Sequence, residues 1–193
     1  MAFWWVNHKQ TFNQEIQGGY IWSPMKNRNG ARNQTYINLS KTTPGDFVVS
    51  YAGARIKAIG IVDGEYREQP KPSEFGNTGD NWAETGWAVP IQWELLDIPI
   101  SPKDNLSEIA PLLPKERSPI QQNGNGNQSC YLAAISDELG QLIIALALRN
   151  ANQDSILCLT NVQQNIEEER IVNEISDLDL DPTEKEQLIK DKK

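Results

Sequence analysis

Residues 87–95 constrain the fold more than any other stretch of the chain. Trp87, Val89, Ile91, Trp93 and Leu95 alternate with Ala88, Pro90, Gln92 and Glu94. A period of two places the large residues on one face of a β-strand, so the chain must build a sheet with a core against that face. Pro90 has no N–H to give to a ladder, which puts the strand at an edge or at a bulge. Shorter apolar runs predict further strands over residues 3–6, 20–22, 47–51, 55–62, 131–135 and 156–162. Gly18-Gly19 turns the chain into the second of these, and Ala52-Gly53-Ala54 closes a hairpin between the third and fourth. Residues 25–35 and 63–81 read as loops, and 8–16 as a polar helix or loop. A short helix is expected over residues 107–113. Ser136-Asp137-Glu138 caps a longer helix to Arg149, acidic at its start and basic at its end.

Charge is distributed unevenly. The chain carries a net charge of −8 over 193 residues, yet residues 1–62 hold seven Lys/Arg against two Asp/Glu. All six tryptophans lie at or before Trp93. A basic segment studded with aromatics suits a nucleic-acid reader, with cations for phosphate and flat rings for a base. An aromatic core beneath an incidentally basic surface gives the same composition. The function classes left over are few. Cys130, Cys158 and His8 are too few to build a four-ligand zinc site. The two cysteines read as reduced thiols of a cytoplasmic protein. Neither an apolar run long enough to span a membrane nor a signal peptide is present. Asn123-Gly-Asn-Gly-Asn127 lacks the Gly-Lys-Ser/Thr of a phosphate loop. With a single histidine, a nucleophile–histidine–acid trio is not expected. No cofactor is implied.

From residue 163 the composition turns acidic and polar. Asp181-Pro182-Thr183-Glu184 is a strong helix start, with Asp as N-cap and Pro in the first turn. The short helix it opens would be marginal alone. We therefore expect one domain over 1–162 and an acidic helical linker over 163–193, leading to a further C-terminal domain.

Several motifs occur in an order that resembles the EVE domain family of the PUA superfamily, which also contains the YTH readers of methylated RNA. They are Phe3-Trp4-Trp5-Val6-Asn7, Gly19-Tyr20-Ile21-Trp22-Ser23, Pro44-Gly45-Asp46-Phe47-Val48-Val49, Ile56 to Val62, Asn81-Trp82, Gly86 to Trp93, and Gln128 to Leu132. Residues 180–190 resemble the linker before the nuclease domain of EVE–HNH modification-dependent restriction endonucleases. The resemblance implies an α/β (α+β) fold: a PUA-like pseudo-β-barrel of mixed strands flanked by helices, with a C-terminal helical extension. It implies a DNA-binding module that reads a modified cytosine, 5-hydroxymethylcytosine or 5-methylcytosine, by flipping it from double-stranded DNA into an aromatic cage. This chain has no clustered histidines of an HNH centre, so it is not expected to cleave. The parent would be the nuclease, and two-headed cutting would suit a homodimer.

Under that resemblance, Trp22 and Trp82 are the stacking walls, facing each other across a slot one base wide. Tyr51 completes the wall or hydrogen-bonds the base. Ser23 and Asn7 or Asn13 read its edge, an amide offering donor and acceptor together. Lys26, Arg28, Arg32 and Arg55 are the backbone-phosphate candidates. Trp4, Trp5, Trp87 and Trp93 are expected in the core, and on the residues alone Trp22 and Trp82 stand between core and cage. Two other readings remain open: a reader of N6-methyladenine or modified RNA, and a protein-interaction domain, suggested by the acidic C-terminal half.

Overall fold

The alternating segment is longer than its pattern suggests. In the computed structural model it runs from Thr85 to Ile100 and is the sixth strand, β6. The others are β1 (Phe3–Asn7), β2 (Tyr20–Pro24), β3 (Phe47–Ala52), β4 (Arg55–Val62), β5 (Arg67–Pro70) and β7 (Leu132–Ile135). The helices are α1 (Phe12–Gly18), α2 (Gln34–Ile37), α3 (Leu106–Ile109), α4 (Asp137–Arg149) and α5 (Pro182–Asp191). The structure describes residues 1–27, 29–80, 82–150, 164, 168, 171, 172, 175, 176, 178 and 181–191. The strand expected over 156–162, Cys158, Arg28 and Asn81 lie outside them.

Among the described residues the strands form one sheet in the order β2–β6–β4–β3–β1–β7, with β5 also on β6. β1 is parallel to β3, and the other pairings are antiparallel. This is the mixed, curled half-barrel of strands flanked by helices that the fold class anticipated. β6 does not lie at an edge. It pairs with β2 on one side and with β4 and then β5 on the other. Pro90 is accommodated at the break between β4 and β5, where its carbonyl accepts from Asp63 N–H. The turn after Val62 needs no donor from it, so the interruption falls on the partner strand rather than on β6.

β1 shows why the first motif reads as a continuous apolar run. Phe3 and Trp5 join the core under α4, while Trp4 and Val6 join the core inside the curl with Ile21, Leu39, Val89 and Leu132. A strand covered on both faces shows no alternation. β6 follows the alternation only in part. Val89 and Ile91 are in the inner core, and Trp87 and Trp93 pack against it, but Leu95 is 55% exposed. The register with β4 breaks between Leu95 and Ile100, and it is Leu96 that packs against the α4 core. Beyond the irregularity the alternation is lost: Leu96 is partly buried, Ile98 is 58% exposed and Ile100 is buried.

The buried carboxylate of Asp46 ties β1 to the turn before β3. It accepts from Ala2 N–H at 2.7 Å, Trp4 Nε1–H at 2.9 Å and Thr43 N–H at 3.0 Å. Two helix starts follow the sequence reading. Ser136 Oγ accepts from Leu139 N–H at the start of α4. Asp181 accepts from Thr183 and Glu184 N–H while Glu184 accepts from Asp181 N–H, a reciprocal box that starts α5 at Pro182. α2 and β5 fall in segments read as loops. No helix among the described residues is long and apolar enough to cross a membrane.

Candidate nucleic-acid interface

A cleft of about 780 Å³ opens where β1, β2 and β3 end. That size suits a small ligand or a single nucleobase with its sugar. Its walls come from the turn after β1 (His8 to Thr11), the end of β2 (Trp22 to Pro24), the β3–β4 hairpin tip, and the segment 126–131 before β7. Asn33, Tyr36 and Trp82 complete it. Among the described residues Lys9 is the permanently charged one on the lining, and no carboxylate joins it.

The two acids counted in residues 1–62 are both buried. Glu15 is 0% exposed and Asp46 is 1% exposed. The described cations of that segment, Lys9, Lys26, Arg32, Lys41, Arg55 and Lys57, all reach the surface. Of these cations only Lys9 lines the cleft, and exposed Asp80 and Glu84 flank Trp82 on the opposite wall.

Glu15 holds the cleft floor together. One carboxylate oxygen accepts from Tyr131 O–H at 2.7 Å and from Trp22 N–H at 3.1 Å. The other meets His8 Nδ1 at 2.5 Å, and His8 Nε2 meets Ser50 Oγ at 2.7 Å. The trio absent from the sequence expectation thus exists: hydroxyl, imidazole and acid in line, as in a nucleophilic triad. Its chemistry is structural. Ser50 is 0% exposed and does not line the cleft, so its hydroxyl meets no substrate. The Tyr131 hydroxyl has its pKa pushed well up by burial and by the neighbouring Glu15 charge, and it stays a protonated donor.

Trp22 and Trp82 both line the cleft, but they do not face each other across a slot. Their ring centroids lie 6.0 Å apart at 39°. Aromatic rings in direct contact have centroids about 4.5–7 Å apart, so the pair leaves no room for a base between them. Phe75 also meets both rings edge-on. The two indoles are in contact as neighbours; Trp22 is 1% exposed and belongs to a core cluster with Phe75 and Ala88, while Trp82 is partly exposed, so a base can reach Trp82 but reaches the Trp22 ring only by parting the pair. Glycines make the arrangement possible. A Cβ on Gly86 would lie 2.4 Å from the Trp22 ring, and one on Gly79 (φ +79°) 2.0 Å from the Trp82 ring. Asn27 bridges Trp82, and Lys26 O accepts from Ala83 N–H, which anchors the basic loop beside this wall.

The remaining candidates divide. Ser23 and Tyr51 line the cleft. Ser23 Oγ donates to Tyr36 O at 3.3 Å. The Tyr51 hydroxyl is enclosed beside Gly126 with no hydrogen-bond partner among the described residues. Burial raises its pKa, partly offset by the Gly126 backbone. Asn7 lines the cleft, but its amide is spent on the frame: Nδ2 donates to Pro119 O and Asn127 O, and Oδ1 accepts from Trp5 Nε1–H. Asn13 is exposed on α1, away from the cleft lining. Lys26 and Arg32 are exposed on the loop next to it, and Arg55 pairs loosely with Asp104 at 3.8 Å. Sequence reasoning missed Tyr36, Tyr131, Gln128 and Ser129 on the lining.

No family model matches the sequence, and no curated protein matches it. Solved structures are similar to it. The YTH domain of the Zygosaccharomyces rouxii MRB1 protein, in complex with N6-methyladenosine RNA, is 13% identical over 76% of this chain and 86% of that one, with a TM-score of 0.50. The fold is PUA-like, of the YTH type. Two further structures share parts of it. The Pho92 YTH domain in complex with m6A is 13% identical over 76% of this chain and 85% of that one, at a TM-score of 0.49. A Zymomonas mobilis ASCH protein (Y47F mutant) is 11% identical over 76% and 99%, at 0.47. In this PUA-like frame the cleft sits at the open end of the half-barrel, between β2 and the β1–β3 pair.

Proposed function

We propose that this chain is a nucleic-acid-binding module that takes a single modified base into the cleft. The preferred ligand is a 5-hydroxymethylcytosine or 5-methylcytosine flipped out of double-stranded DNA. The carrying observation is the cleft itself: room for one nucleobase, aromatic and polar walls, and Lys9 as the charged group with no carboxylate on the lining among the described residues. Flipping costs a few kcal/mol, and stacking on an aromatic wall returns about 1–3 kcal/mol. Trp82 supplies that wall with Trp22 buried behind it, Ser23 Oγ, whose proton goes to Tyr36 O, accepts from an edge of the base, and Lys26, Arg28, Arg32 and Arg55 meet phosphates. The Tyr51 hydroxyl is an enclosed polar atom that a ligand group can satisfy. Such a group is worth about 1–3 kcal/mol of selection.

We assign the chain to the recognition part of a modification-dependent restriction endonuclease, residues 1–162 forming the reader and 163–193 the linker. The linker-like tail and its capped α5 support this. The domain that cuts would be an HNH-type nuclease acting as a homodimer. A second reading, recognition of N6-methyladenine or modified RNA, is favoured by the two YTH domains, which were solved with that methylated base.

Matched duplexes and single strands carrying cytosine, 5-methylcytosine, 5-hydroxymethylcytosine or N6-methyladenine, titrated at one salt concentration, test both. The expected result is at least tenfold tighter binding of duplexes with a modified cytosine. Tighter binding of N6-methyladenine supports the second reading, and equal affinity for every oligonucleotide defeats both.

A further inference from the structure

We propose that the nucleic-acid strand crosses the cleft between two cationic rims, and that Lys9 and Lys57 form the second rim. This rests on the nucleic-acid reading above and adds a path to it. The first rim is the loop carrying Lys26 and Arg32, attached to the end of β2 and to Trp82. The second lies on the far wall. Lys9 is exposed on the turn after β1 and lines the cleft. The Lys57 ammonium sits 4.7 Å over the Phe12 ring and about 4.0 Å from where a Gly53 Cβ would be. Gly53 lines the cleft, and Phe12 follows the lining residue Thr11. That ammonium is therefore held at the junction of two lining turns. Neither lysine has an ion-pair partner among the described residues.

The strand order separates the rims: β2 stands at one end, with β6 and β4 between it and β3. They meet across the cleft only because the sheet curls, which Trp22 N–H reports by bonding the Tyr131 hydroxyl at 3.2 Å. A strand laid over the opening thus meets positive charge before and after the base that enters. The two acids of residues 1–62, which would oppose such a strand, are buried. Phe12 pins the Lys57 stem, so little side-chain freedom is lost on contact.

Phosphate contacts set the salt dependence of binding and carry no base information. The test is a salt titration of the full chain with modified and unmodified duplexes, comparing wild type with K9Q, K9Q/K57Q and K115Q. Gln keeps a polar stem over Phe12, and Lys115 is exposed on a segment outside the cleft lining. Each lost contact lowers the slope of log K against log salt by about 0.9 on duplex DNA. K9Q should lose about one such step and the double variant about two, equally for both duplexes, with K115Q unchanged. An unchanged slope in K9Q, with base discrimination intact, overturns the second rim and leaves the reader standing. A lower slope in K9Q, together with a wild type that binds modified and unmodified duplexes equally, supports the rim and overturns the reader. A chain that binds no oligonucleotide at low salt overturns both.

Discussion

Glu15 connects parts of the chain that sequence separation hides from each other. It lies seven residues from both His8 and Trp22, and 116 from Tyr131. Removing it takes the acceptor from the Tyr131 phenol and the partner from His8 Nδ1, while Trp22 N–H keeps the Tyr131 hydroxyl and His8 Nε2 keeps Ser50. Glu15→Ala should therefore cost about 2–4 kcal/mol, each buried polar group left without its partner costing about 1–3 kcal/mol. Urea unfolding followed by circular dichroism checks this through a lower midpoint at constant m-value. A loss under 1 kcal/mol would mean that water readily replaces the carboxylate. In the sequence Glu15 looked like a surface acid on a polar helix, because its partners become neighbours only after the sheet curls. Tyr131 was hidden for the same reason, while Trp22 and Ser23 were legible from their own run. Asn7 was legible as a cleft residue but not as one whose amide is already used.

At the scale of elements, local chemistry and packing compete, and α4 shows which wins. Gly140 sits in the middle of this helix, where Ala is preferred by about 1 kcal/mol. A Cβ there would stand 2.1 Å from the Phe3 ring. Overpacking of that kind costs about 1–3 kcal/mol, so Gly140→Ala should destabilise despite its better propensity. Thermal melting reads the sign directly, and a raised midpoint would show that Phe3 has room to move. The elements read correctly were those whose signals are local: the alternation of β6, the Ser136 cap, and the Asp181 box. α2 was missed because it is a single turn held by Asn33, whose side chain accepts from Thr35 N–H. β5 was missed because its residues, Arg67 to Pro70, are polar and mostly exposed, and only pairing with β6 makes them a strand. Leu95 was misplaced because alternation assumes an unbroken register.

For the molecule as a whole, burial of weak acids predicts a one-sided pH response. The Cys130 thiol is pushed up to about 12 by burial, and Tyr20, Tyr36, Tyr51 and Tyr131 are also raised by burial first. Each group keeps its proton in the fold at pH values where the unfolded chain releases it. Their stabilisation is complete below the unfolded values, 9.0 for the thiol and 10.0 for the phenols, and is lost as pH rises. The urea midpoint should therefore fall steadily above about pH 9. A flat profile to pH 11 would mean that these groups titrate as freely as in the open chain.

The tryptophan contact has a spectroscopic consequence. Two indoles 6.0 Å apart and inclined at 39° couple their electronic transitions. The resting protein should show an exciton couplet in its far-ultraviolet dichroism that Trp82→Phe abolishes. A guest that wedges the rings apart would collapse the couplet, whereas one that lies on their outer surface would leave it in place. The protein thus contains its own optical gauge of how a base enters.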